Sequence, residues 1–251
     1  MKKNILFAAL LSVLGGFQVF AQDTKIEEAF KTYRFGLYVG PTLNSLRPAS
    51  DVYNGYEITK GKGYTGLSFG LMVDYNVNER YAIQTGISLD WRGGSMSSLK
   101  DTLSAMENGY AKQADVRYKQ QYISLPIGMK LKAAQVDKMA FYVQTGFDLS
   151  LLLSNRGTSD IIKADGTALI NRGMVNLNQE GVGKAVPINF GWYIGPSMEY
   201  KINDANSVFF SLIYRNGFTD ITAPQNNKNG FRFSDGNIRS NALALRIGYF
   251  F

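Results

Sequence analysis

The sequence predicts an all-β protein, an eight-stranded antiparallel up-and-down transmembrane β-barrel, on three observations. Apolar residues recur with period two along eight segments, and the connections between those segments alternate long and short. After the amino-terminal region no apolar run reaches the roughly 18 residues of a spanning helix, so a membrane crossing would have to be made by strands.

The elements follow in order along the chain. Lys2 and Lys3, the apolar run Ile5 to Leu14 and the small-residue site Val19-Phe20-Ala21 read as a secretory signal peptide over 1–21. Residues 22–32 read as a polar periplasmic lead-in, with one helical turn at Ile26 to Phe30, and 33–251 as the barrel domain. Its clearest strand is 63–76, where Leu67, Phe69, Leu71, Val73 and Tyr75 alternate with Gly66, Ser68, Gly70, Met72 and Asp74. Segments 81–92, 117–132, 139–153 and 186–201 repeat the pattern, and 33–43, 207–218 and 238–251 carry weaker versions. A helix would scatter these apolar residues around its circumference. Pro41, Pro126 and Pro196 each remove a ladder donor, so bulges or bends are expected there.

The connections predict which end is which. Long ones (44–62, 93–116, 154–185, 219–237) alternate with short ones (77–80, 133–138, 202–206), which sets four long loops on one rim and three turns on the other. Bacterial outer-membrane barrels have long extracellular loops and short periplasmic turns, so both termini are expected in the periplasm of a Gram-negative bacterium.

Face composition decides which side points outward. A water-exposed face would carry many Lys and Glu; the polar face here is Gly, Ser, Ala, Asn, Gln and Tyr with isolated charges, which suits a narrow lumen. Four acids (Asp74, Asp90, Asp148, Glu199) and four bases (Arg92, Lys130, Arg215, Arg246) share lumen-facing parity, and are expected to pair into a structural network. On that reading Arg246 neutralises an acid, and Arg246→Met strands it. On the other face Tyr75, Tyr81, Tyr200, Tyr249 and Phe251 are expected as an aromatic girdle at the turn rim, and Trp91, Trp192 and Tyr214 toward the loop rim.

Composition narrows the chemistry. The 251 residues contain no Cys and no His, which excludes disulfides, thiolate chemistry and the usual general base. No catalytic residue, cofactor or metal site is predicted, and an enzyme is not expected. Gly61 to Gly66 matches G-x-G-x-x-G but follows a loop and opens a strand, so it lacks the helix amino terminus that binds phosphate. The formal charge of +7 falls to +5 without Lys2 and Lys3, and the long connections hold eleven Lys and Arg against ten Asp and Glu, which is no nucleic-acid patch. Single bases near the rim could meet lipopolysaccharide phosphates. Connection 154–185, rich in glycine, is the expected partner-contact surface.

Several stretches carry a family resemblance. The segment ending Ala21-Gln22, the strand Tyr122-Ile123-Ser124-Leu125-Pro126-Ile127-Gly128-Met129-Lys130, the stretch Tyr214 to Ile221 and the aromatic carboxyl terminus resemble the PorT-like outer-membrane β-barrel family. The resemblance implies an eight-stranded barrel in the outer membrane, set among lipid and lipopolysaccharide, with a link to protein secretion or surface partners. Tyr249-Phe250-Phe251 also resembles the signal read by the barrel-assembly machinery. The role implied is structural, assembly or surface recognition, with a small pore as the alternative and a His-free membrane hydrolase behind it.

Overall fold

The computed structural model describes residues 32–101, 111–180, 183–203, 206–223, 225–226, 232–233 and 236–251. The expected signal peptide, the turn at Ile26 to Phe30 and all of the lead-in but Thr32 lie outside the described residues. The strands are β1 (Tyr33–Pro48), β2 (Val52–Tyr53), β3 (Tyr56–Asn76), β4 (Tyr81–Lys100), β5 (Ala111–Val136), β6 (Met139–Lys163), β7 (Ala168–Asn176), β8 (Ile188–Lys201), β9 (Ser207–Gly217), β10 (Gln225–Asn226), β11 (Arg232–Phe233) and β12 (Ile238–Phe250). One helical turn, α1 (Leu177–Glu180), follows β7. No described helix is long and apolar enough to cross a membrane.

Eight strands close into a ring. β1, β3, β4, β5, β6, β8, β9 and β12 pair in that order, every pair antiparallel, and β12 returns to β1. The register fixes the ring's geometry: Gly36 pairs with Met72, Met72 with Gly86, Pro126 with Asp148, Asp148 with Gly191, and Gly191 with Gly217. Continuing through the β4–β5 and β9–β12 registers, the path reaches Ser240, which pairs with Leu46, ten residues beyond its start at Gly36. An eight-stranded ring with such a stagger encloses a space that side chains just fill.

Alternation sorts the side chains. Leu67, Phe69 and Leu71 on β3, Ile83 and Ile87 on β4, Leu125, Ile127 and Met129 on β5, and Phe147, Leu149 and Leu151 on β6 are exposed on the outside, while Ser68, Asp74, Gln84, Ser88, Ser124 and Ser150 are buried inside. An exposed apolar belt of this extent is unstable in water and suits a hydrocarbon surround.

The lumen glycines make room for rings. Tyr38 pairs directly with Gly70, Tyr193 with Gly146, Phe209 with Gly248 and Phe250 with Gly36. A Cβ added at these glycines would meet the facing aromatic side chain at 2.5, 2.9, 2.4 and 2.7 Å. The rings therefore lie flat over a neighbouring strand instead of standing into the crowded lumen.

Two expectations need correction. The prolines cause no register shift: Val39↔Ile247 and Thr42↔Ala244 flank Pro41 in one continuous register, as do Thr85↔Ile127 and Ser88↔Ser124 at Pro126, and Ile194↔Tyr214 and Ser197↔Ser211 at Pro196. Each proline interrupts pairing on one side only; on the other, Pro41↔Leu67, Pro126↔Asp148 and Val143↔Pro196 are kept. The missing N–H would have bonded to only one neighbour.

Three of the four long connections, too, are largely strand among the described residues. β1 runs to Pro48, β3 starts at Tyr56, β4 runs to Lys100, β5 starts at Ala111 and β6 runs to Lys163. Asn54 and Gly55, both with positive φ, make the two-residue turn between β2 and β3. Within these extensions the polarity reverses. Leu46, Tyr56, Ile58, Met96, Ala114, Val116, Tyr118, Ile161, Leu177, Ile221 and Ile238 pack inside as one apolar cluster, while Glu57, Thr59, Arg117 and Lys119 face outward. Outside the belt the wall meets water, so its inner face becomes an ordinary hydrophobic core.

Ile161, 1% exposed at the centre of this cluster, provides a test. Ile161→Ala should lower stability by about 2–5 kcal/mol. Urea unfolding in detergent micelles checks this, and an unchanged midpoint would count against a packed plug.

Candidate functional site

Inward parity brings the lumen's charges together as layers. Along β5, from the turn end toward the long-loop end, the inward residues are Lys130, Gly128, Pro126, Ser124, Tyr122, Gln120, Tyr118, Val116 and Ala114, so charge gives way to hydroxyl and amide and then to apolar groups. All eight residues expected in the lumen network are buried: Asp74, Asp90, Arg92, Lys130, Asp148, Glu199, Arg215 and Arg246.

Seven of them form two clusters. In the upper one, Asp90 accepts hydrogen bonds from Ser68 (2.6 Å), Ser124 (2.7 Å), Ser88 (3.1 Å), Arg92 (2.9 Å) and Arg215 (2.9 Å). Arg92 also donates to Asp148 (2.9 Å), which accepts from Ser150 (3.0 Å). These side chains come from β3, β4, β5, β6 and β9, so the cluster ties the ring across its diameter. In the lower cluster, Lys130 donates to Asp74 (2.8 Å) and to Glu199, and Gln84 donates to Asp74 (2.8 Å). The Lys130 ammonium lies 4.4 Å from the Tyr142 ring centroid and 4.7 Å from that of Phe250.

Sequence reasoning missed Arg34. It donates to Glu199 (3.0 Å) and Ser207 (2.6 Å) and lies over Phe250 at 4.5 Å, completing the lower cluster. The signal was available, because Arg34 shares the parity of the inward Gly36 and Tyr38. Arg246 departs from expectation in the opposite sense. It forms no salt bridge among the described residues; its guanidinium stands 4.6 Å over the Tyr38 ring, and its Nε and Nη2 have no hydrogen-bond partner. The four acids are already taken by Arg34, Arg92, Lys130 and Arg215.

The eight girdle residues all have outward parity. Tyr75, Tyr81, Tyr200 and Phe251 are exposed near the turn end, with Tyr249 partly covered beside them, and Tyr33 packs on Tyr75 at 5.1 Å. Trp91 lies on β4 toward the long-loop end, partly covered. Trp192 and Tyr214 meet edge to face at 6.1 Å. Ile188 and Phe190 lie beyond Trp192 on the same outward face, and Ile194 and Met198 before it, so this pair sits within the apolar belt and not at its loop rim. The ring's stagger carries β8 and β9 higher than single-strand alternation implies.

The lumen carboxylates face arginine, lysine and serine donors, and no group of three His, Cys, Asp or Glu among the described residues could hold a metal. Beside Arg92, Asp148 and Arg215 lies a void of about 10 Å³, enough for one water-sized species.

Asp90 is the keystone of the upper cluster. Asp90→Asn leaves Arg92 and Arg215 with Asp148 alone and should cost about 3–5 kcal/mol, because an unbalanced charge stays buried. Equilibrium unfolding of the refolded variant checks this, with Ser88→Ala, which removes only one of five donors, losing no more than about 1.5 kcal/mol.

Comparison with known proteins agrees with this geometry at the level of family. No curated protein matches the chain. Among solved structures it is similar to the attachment invasion locus protein Ail of Yersinia pestis, crystallised with the heparin analogue sucrose octasulfate (11% identity, 88% of this chain and 100% of that one, TM-score 0.38). It is also similar to the outer membrane protein OprG of Pseudomonas aeruginosa (14% identity, 88% and 97%, TM-score 0.38) and to the outer membrane protease OmpT of Escherichia coli (7% identity, 91% and 99%, TM-score 0.41). Residues 20–223 match the outer membrane protein beta-barrel domain, and with its closed ring and apolar belt the chain belongs to that family of outer-membrane barrels.

Proposed function

We propose that this protein is a sealed, non-enzymatic outer-membrane barrel of PorT-like type, with a structural, assembly or surface-recognition role carried by the extended ribbons at its long-loop end. The observation that carries this reading is the apolar plug of Leu46, Tyr56, Ile58, Met96, Val116, Tyr118, Ile161 and Ile238 stacked above the two charge clusters. An ion entering from the loop end would have to cross a dry core, and from the turn end a lattice of bonded side chains. The absence of His and Cys and the pairing of the lumen acids support a non-enzymatic role.

The wall just outside the belt supports an extracellular long-loop end. Arg47 faces Arg239 across the β1–β12 ladder and Lys119 faces Arg156 across β5–β6, each pair pointing outward. Directly opposed like charges repel, and a surface that concentrates them suits a layer of phosphates, which the lipopolysaccharide leaflet supplies. In this orientation the termini are periplasmic and the last strand is offered to the barrel-assembly machinery. β6 paired with β7, with α1 following, then forms an outward ribbon for a secretion or surface partner.

Planar-bilayer recording tests the sealed state. The reading predicts no steady single-channel conductance above the bare bilayer; stepwise, reproducible openings would contradict it and establish a small pore.

A further inference from the structure

The charge balance of the lumen does not close on its own side chains. Among the described residues Asp74, Asp90, Asp148 and Glu199 oppose Arg34, Arg92, Lys130, Arg215 and Arg246, four acids against five bases. Every acid has a basic partner within 3.0 Å, and Arg246 has none. Arg246 is 3% exposed, so water outside the barrel does not neutralise it.

Most of the unpartnered groups around it are donors. On β12 Arg246 lies between Phe250, which packs on the lower cluster, and Ala242, which pairs with Arg215 of the upper one. Arg215 uses one nitrogen on Asp90, while its Nε and Nη2 have no partner. The hydroxyls of Tyr38 and Tyr193 are likewise without partners. Arg246 stands over the Tyr38 ring, Tyr193 lies within electrostatic reach of Arg246 and Arg215 and of the acids Asp148 and Asp74, and Tyr38 lies within reach of Arg215. Tyr193 is held flat across Gly146 and Gly128, which sets its hydroxyl near the far wall and leaves the middle of the layer clear of its ring. Two guanidinium edges and two phenolic hydroxyls, all buried and unpartnered, thus share one layer between two internally neutral clusters. The opposing groups are the free oxygen of Asp148 and the amide oxygen of Gln144, both also without partners.

We propose that this layer binds one small inorganic anion, of chloride size, held by the Nε and Nη2 edges of Arg246 and Arg215 and by the Tyr38 and Tyr193 hydroxyls. The anion closes the lumen's charge balance and acts as a structural ligand. An interior that side chains nearly fill leaves no room for sulfate or a sugar acid, so the proposed ligand is confined to a monatomic ion.

The experiment is thermal unfolding of the refolded barrel in detergent micelles, with sodium chloride titrated against sodium gluconate at constant ionic strength, so that screening is unchanged. Chloride should raise the melting temperature saturably, by roughly 4 °C at a large excess over its dissociation constant, and bromide should substitute for it. Arg246→Met leaves four acids and four bases, and should fold in gluconate at least as stably as the parent while losing the chloride response. Tyr193→Phe keeps the ring and removes one donor, and should shift the chloride midpoint several-fold upward. Identical melting of the parent protein in chloride and gluconate overturns the proposal whatever the variants do. So does an undiminished chloride response in Arg246→Met, and if that variant fails to fold, an unshifted midpoint in Tyr193→Phe does the same.

Discussion

Closure of the ring is the constraint on which everything else rests. Once β12 pairs with β1 at a stagger of ten residues, the inner face has a fixed and narrow volume, and each inward side chain must find its partners there. The lumen meets this demand with cross-strand pairs of glycine and ring, with serines around Asp90 and with charge clusters that span the barrel. The contacts that span the barrel are remote in sequence: Arg215 and Asp90 are 125 positions apart and Arg34 and Glu199 are 165, while Ser88 and Arg92 meet Asp90 from two positions away. The network is therefore completed only when the ring closes, and it in turn rewards closure.

The second organising fact is a reversal of polarity along the axis. Inside the belt, apolar side chains face outward and polar ones inward; beyond it, the same strands carry Ile58, Met96, Val116 and Ile161 inward and Glu57, Arg117 and Lys119 outward. One continuous ladder serves two solvents. The lower part is a membrane barrel with a polar filling and the upper part a water-facing barrel with an oily one, and the filled upper part closes the lower.

The sequence made the belt legible because period-two alternation with Leu, Phe and Ile on one side survives in every ring strand. The upper extensions were less legible for a physical reason. Tyr56 and Ile58 share the parity of the inward Ser68 and Gly70, so the apolar phase flips around Gly63 to Gly66 and reads as the end of a strand. The register shifts between Lys60 and Ser68 fall at that flip, and a further shift opposite Gln121 turns Asn155 inward and Arg156 outward. Seven of the eight expected lumen charges meet in two clusters of opposite charges, since parity and opposite sign suffice to find them. Arg34 escaped notice at the very start of a weak strand. The isolation of Arg246 and the mid-belt position of Trp192 and Tyr214 depend on stagger, which no single strand reveals.

The chain's lack of cysteine offers the most direct measurement of a sealed lumen. Ser150→Cys and Ser211→Cys introduce near-isosteric thiols at inward positions 0% and 1% exposed, and Ser50→Cys supplies an exposed control. Labelling of the folded barrel with a membrane-impermeant maleimide should modify position 50 promptly and leave positions 150 and 211 unmodified until the protein is unfolded. Rapid labelling of the two inward thiols in the folded barrel would show an open aqueous lumen and contradict the account.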